Sequence, residues 1–205
     1  MAITLHQGDL PSGLDLGQSV AVDTETMGLR TARDRLCLVQ LSSGDGNAHL
    51  VRFSAGQGYA APNLTRLLGD PKVLKLFHFA RFDLAAIQHY LGIGCTPVYC
   101  TRTASRLVRT FTDRHGLKDL CRDLIGVEIS KQEQSSAWGA PSLTEAQQKY
   151  AASDVLYLHQ LKAVLDGMLA REGRAALAQA CFDFLPTRAA LDLAGWPEED
   201  IFAHN

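Results

Sequence analysis

The chain has 205 residues, 46% of them hydrophobic and 20% charged, with a formal net charge of −2. That length suits one domain with a sizeable core, or one domain with a short appendage. The charge argues against a protein that coats long nucleic acid through a basic face, but leaves room for a short nucleotide met through metal ions.

In chain order, Ser19 to Asp23 alternates like a strand, with Val20 and Val22 on one face. Arg35 to Ser42 is apolar on both faces and reads as a central strand. The Ser43-Gly44-Asp45-Gly46-Asn47 turn returns the chain into a third strand, His49 to Phe53, as an antiparallel meander. Pro62 to Leu68 reads as a short helix with proline near its start, and Val73 to His78 as a fourth strand. Ala80 to Leu91 is a helix closed by Gly92. Val98 to Cys100 is a short fifth strand. Thr101 to Thr110 and Leu117 to Ile125 are helical. A long helix, capped by Ser142 or Thr144 with Glu145 in a capping box after Ser142, runs to about Arg171. The pattern predicts an α/β fold, a mixed five-stranded sheet flanked by helices. The partly apolar tail from Glu172 is too small for a core of its own.

Residues 1–13 lack the basic start and apolar stretch of a signal peptide, and no apolar run is long enough to span a bilayer. Cys37, Cys95, Cys100, Cys121 and Cys181 contain no Cys-x-x-Cys pair, which argues against zinc. Most are flanked by apolar residues and read as core. The reading is a cytoplasmic protein with no membrane partner.

Three blocks carry the chemistry: Val22-Asp23-Thr24-Glu25-Thr26, His78 to Leu84 around Asp83, and Tyr150 to Asp154. Each places a carboxylate in or beside an apolar segment, where it is costly unless paired or bound to metal. Asp23 and Glu25, two apart on a strand, point the same way, and Tyr150 and Asp154, four apart on a helix, share a face. Singly, each has an ordinary reading as a strand cap, a helix-dipole partner or a surface acid. Together they predict one oxygen-only site for Mg2+ or Mn2+. Such a site suits two-metal phosphoryl transfer, with the ions roughly 4 Å apart. Tyr150, protonated at neutral pH, would hold the attacking water.

This pattern resembles the DEDD family of 3′–5′ exonucleases on an RNase H-like fold, over about residues 17 to 170. Asp-x-Glu, Asp83 and Tyr-x-x-x-Asp match its blocks in the tyrosine variant; the histidine variant would need histidine where Lys149 stands. Arg35 to Ser42 and Lys131 to Trp138 resemble ribonuclease D. Asp113 to Lys118, Tyr150 to His159 and the Gly195-Trp196 … Asp200 to His204 ending are similar to the bacterial nanoRNase C group. Ala137 departs from the aspartate usual in the Ser-Asp-Trp stretch. The ribonuclease D resemblance also implies further helical domains, for which the tail leaves no room.

The resemblance implies an exonuclease domain at 1–171 and a helical tail at 172–205, packing on the core or a neighbour. It implies a cytoplasmic exoribonuclease that degrades very short RNA, dinucleotides included, with two ions per site, assembled as a homo-oligomeric ring such as an octamer. By position, Asp23, Glu25 and Asp154 would hold one ion, and Asp23, with Asp83 through water, the other. Leu29 would be an apolar wedge between bases or ordinary packing. Thr26 and Met27 would offer backbone contacts. His78 would be a substrate contact or a core histidine. Gln134, Ser135, Ser136 and Trp138 would bind a nucleotide or order a loop. Arg102, Arg106 and Arg109 share a helical face, read first as solvated or subunit-facing, with a terminal phosphate as the alternative. The rivals are an exonuclease on longer RNA or DNA, and a non-catalytic nucleotide-binding scaffold.

Overall fold

A computed structural model describes residues 2–130 and 132–204 of the chain. Lys131, which opens one of the ribonuclease D-like stretches, lies outside the described residues. Among the described residues six strands form one sheet: β1 (Ile3–Gln7), β2 (Ser19–Thr26), β3 (Leu36–Ser42), β4 (Ala48–Arg52), β5 (Leu74–Phe77) and β6 (Val98–Cys100). Their order is β1-β4-β3-β2-β5-β6. The β2–β3–β4 meander is antiparallel, and β5 and β6 continue parallel to β2. The sheet thus has one strand more than the five read from the sequence. Ile3–Gln7 is half-exposed and pairs in parallel with β4 at the edge, so its burial pattern carries little alternation.

The helices are α1 (Pro62–Gly69), α2 (Ala80–Ala86), α3 (Thr101–Val108), α4 (Leu117–Ile125), α5 (Glu145–Leu156), α6 (Leu158–Arg171) and α7 (Ala175–Ala194). A π-helical turn, Ile87–Leu91, extends α2 to a left-handed Gly92. The predicted long last helix is in fact two, broken at Tyr157. The break has a packing reason: α5 lies on β2, β3 and β4, whereas α6 turns to β5, α3 and α4. Thr144, not Ser142, caps α5, in a reciprocal box with Gln147.

Strand alternation sorts the core. Val22, Val39, Leu41 and Val51 join Leu64, Leu68 and Leu84 in the main cluster. Leu38 and Leu50 pack instead with Trp138, Leu143 and Ala151 beneath α5. Four cysteines are buried and Cys181 is half-buried, all as free thiols. The tail is not an appendage in packing terms. Helix α7 lies on α2, α3 and β6, Phe182 meets the Tyr99 ring at 4.5 Å, and Asp192 pairs with Arg81 at 2.6 Å. No helix among the described residues is long and apolar enough to cross a membrane.

Candidate active site

Strand β2 and helices α2 and α5 bring the acidic residues together at one cleft of about 620 Å³. Asp23 and Glu25 leave β2 on the face that α5 covers. Tyr150 and Asp154 come down from α5, one turn apart. Asp83 comes from the first turn of α2 and is 3% exposed. One oxygen from each of Asp23, Glu25 and Asp154 falls within 4.8 Å of the others. Asp83 stands just beyond this triad. Its Oδ1 accepts from the Thr24 hydroxyl at 2.6 Å, its charge is felt by Glu25, and it feels that of Asp23.

The electrostatics follow from crowding without a counter-charge. Burial pushes the Asp23 carboxyl up to about 7. Glu25 is pushed up to about 10, by burial first and then by the charges of Asp23, Asp154 and Asp83. Asp83 is raised well above the usual carboxylate range, by burial and then by Asp23. The Tyr150 phenol is raised by burial and then by Asp154, Glu25 and Asp23, so it keeps its proton. Among the described residues no ion pair includes Asp23, Glu25 or Asp83. An oxygen-only set of mutually repelling acids fits a hard divalent cation, which relieves the repulsion that protons otherwise must.

The loop after β2 is built to present Leu29. The Thr26 hydroxyl donates to the Gly28 carbonyl. Asp34 braces the turn, accepting from the Arg30 backbone N–H at 3.0 Å and from Arg33 Nε at 2.6 Å. A side chain on Gly28 would collide with the Asp34 carboxylate. Leu29 is left 87% exposed at the cleft, with Met27 beside it. His78 is half-buried, its Nδ1 2.9 Å from Thr101 Oγ1. Gln134 and Ser136 line the same cleft, and Ser136 Oγ also accepts from Gln147 Nε2 at 3.0 Å. Trp138 is buried, its indole braced against the α5 cluster and 6.0 Å from the Tyr150 ring. The five acidic and tyrosine residues border this one cleft, as do Thr26, Met27, Leu29, His78, Gln134, Ser135, Ser136 and Trp138.

The three arginines on and just after α3 part company. Arg102 lines the cleft with its guanidinium 4.9 Å from the Phe79 ring centroid, Arg106 is exposed, and Arg109 is buried and paired with Asp123 at 2.6 Å. Phe79, Thr24 and Gln40 are among the cleft or site residues that escaped the sequence reading. Phe79 takes a left-handed φ of 66° at the entry to α2, which costs a non-glycine residue about 1–2 kcal/mol. Thr24 holds Asp83, and Gln40 Nε2 donates to Asp23 Oδ2 at 3.1 Å. Only Gln40 carried a signal: a lone amide inside an apolar central strand.

Fold and site together define a 3′–5′ exonuclease. Residues 9–170 match the 3′–5′ exonuclease domain family, and the chain belongs to it. Its structure superimposes on NrnC of Brucella melitensis, in a form bound to pGG, with a TM-score of 0.96 at 56% identity and all of both chains covered. A form of that protein with bound Mg2+ matches at 0.95 and 55% identity, again over both whole chains. Among curated proteins, ribonuclease D of Gluconacetobacter diazotrophicus is 38% identical over 155 residues, which is 76% of this chain and 39% of that protein. The chain thus spans about two fifths of the curated relatives it matches. The family match makes this a 3′–5′ exonuclease domain, and Asp23, Glu25 and Asp154 offer a divalent cation three oxygens within 4.8 Å of one another.

Proposed function

We propose that this chain hydrolyses very short RNA, dinucleotides included, from the 3′ end and releases nucleoside 5′-monophosphates, with two Mg2+ or Mn2+ ions per site. One observation carries the length reading: the acidic cluster sits in a cleft of about 620 Å³, within the roughly 300–1,000 Å³ typical of small-ligand sites. The full-length likeness to a protein bound to pGG supports it.

Bound at the cluster, the divalent ions supply Lewis acidity, offsetting charge on the scissile phosphate and easing loss of a proton from water. Asp23, Glu25 and Asp154 would hold one such ion, and Asp23, with Asp83 through water, the other. Tyr150 donates a hydrogen bond that orients the attacking water, since its raised pKa keeps the phenol protonated. Leu29 enters between the two bases. Thr26 and Met27 meet the terminal nucleotide through their backbone, and His78, Gln134, Ser136 and Trp138 border the rest of the substrate. The exposed Trp196, Ile201 and Phe202 suit burial against a second copy of the chain in a ring. Free thiols throughout fit a reducing cytoplasm.

The test is a length series. With purified protein and Mg2+, kcat/KM on two-, five- and twenty-nucleotide RNA should fall as length grows, by about 10-fold or more per step, a loss of ~1.4 kcal/mol each. A flat or rising profile would return the protein to the longer-substrate, ribonuclease D-like reading.

A further inference from the structure

Every residue of β3 is buried, and the strand is apolar apart from Gln40 and Ser42. Ser42 has an ordinary structural partner, the Asn47 carbonyl at 2.7 Å. Gln40 does not. It is 0% exposed, and it stands directly opposite Asp23 in the β2–β3 register, so the two side chains share a sheet face. Its Nε2 donates to Asp23 Oδ2 at 3.1 Å. Its Oε1 is buried with no partner among the described residues. An orphaned buried acceptor costs about 1–3 kcal/mol. A methionine or leucine of similar size would avoid that cost, so stability alone gives no reason for an amide here.

The reason lies in what Asp23 needs. A carboxylate on a strand rotates about its side-chain bonds unless something holds it, and a lysine or arginine would hold it only by cancelling the charge that attracts a cation. A neutral amide holds it and leaves the charge intact. Thr24 treats Asp83 the same way from the other face of β2, through one hydroxyl at 2.6 Å. We infer that Gln40 is a positioning residue for the cation site: its amide fixes the rotation of the Asp23 carboxylate toward Glu25 and Asp154, at the expense of an unsatisfied oxygen. This rests on the metal-site reading proposed above.

The experiment follows the melting temperature of wild type and Gln40→Met in EDTA and through an Mg2+ titration, with kcat and KM on a dinucleotide at each Mg2+ level. In EDTA the variant should melt at or above wild type, because the orphan oxygen is gone. Its half-saturating Mg2+ should rise about 10- to 100-fold, the usual cost of removing such a supporting contact. At saturating Mg2+, KM should match wild type and kcat should largely recover. Gln40→Leu serves as a second variant should the first fail to fold. An unchanged half-saturating Mg2+ in a folded variant overturns the role of Gln40, whatever the EDTA melting point. A wild type whose melting point ignores Mg2+ overturns instead the cation reading on which the inference stands.

Discussion

Two buried charge sites on neighbouring strands are treated in opposite ways. Lys75, on β5, is 0% exposed, yet its Nζ donates to the Asp70 carbonyl at 2.8 Å and the Thr96 carbonyl at 2.6 Å. The ammonium is buried with fixed acceptors, and it ties together the chain segments entering β5 and β6. At the far end of the adjoining β2, Asp23, Glu25 and Asp83 crowd together and join no ion pair among the described residues, and Gln40 keeps an unpaired oxygen beside one of them. A buried charge with its partners built in is structure. Buried charges left short of partners are held for something that arrives later.

The comparison breaks most sharply at Glu25. Glu25→Gln keeps the shape and removes one of the repelling acids. Turnover of short RNA should fall about 10³-fold, a loss of ~4 kcal/mol of transition-state stabilisation. The metal-free protein should nevertheless become more stable, by about 0.5–2 kcal/mol, as relief of a functional strain predicts. Melting curves in EDTA and in Mg2+ check both halves, since Mg2+ should stabilise wild type more than the variant. A variant that is both inactive and less stable in EDTA would mean that Glu25 belongs to the framework.

Lys75→Met should do the reverse. It orphans two carbonyls, and each unsatisfied acceptor costs about 1–3 kcal/mol. With roughly 2–4 °C of melting temperature per kcal/mol at this chain length, the loss should be plain in a thermal melt. Turnover per folded molecule should stay at the wild-type level. A selective loss of kcat without a fall in melting temperature would erase the distinction between the two sites.

The sequence carried the acidic site further than it carried its supports. Asp23, Glu25, Asp83, Tyr150 and Asp154 were legible because strand and helix periodicities turn spacing into direction. The meander and the two parallel strands after it were legible from alternation and turn residues. β1 was not, because an exposed edge strand alternates weakly. The break at Tyr157 was not, because both halves of the helix are apolar and only their separate packing targets distinguish them. Thr24 and Phe79 were silent because their importance is a matter of who stands opposite across the fold, which one-dimensional spacing does not encode. The arginine face on α3 misled for the same reason. Its members share a helical stripe, but Arg102 meets the cleft and Arg109 is buried against Asp123.

The smallest effect sharpens the comparison on the cleft's remaining wall. His115 is 8% exposed, its Nδ1 lies 2.8 Å from Ser105 Oγ, and the next residues, Gly116, Leu117 and Lys118, line the cleft. Burial, then the neighbouring charges of Arg109 and Arg106, lower its pKa below the ordinary 6.5. The folded state therefore releases this proton more readily than the unfolded chain does. Stability tied to neutral His115 is fully present above pH 6.5 and is lost as pH falls through the lower folded value. Like Lys75 and unlike the carboxylates, His115 is a satisfied group, so its titration should act on stability rather than on metal binding. In EDTA, the difference in melting temperature between wild type and His115→Gln should shift against wild type as pH drops from 7 to 5, by about 1 kcal/mol or less. The half-saturating Mg2+ at pH 7 should be the same in both. A pH-independent difference would show that His115 is not protonated on unfolding in that range, and a changed Mg2+ requirement would move it from the framework into the site.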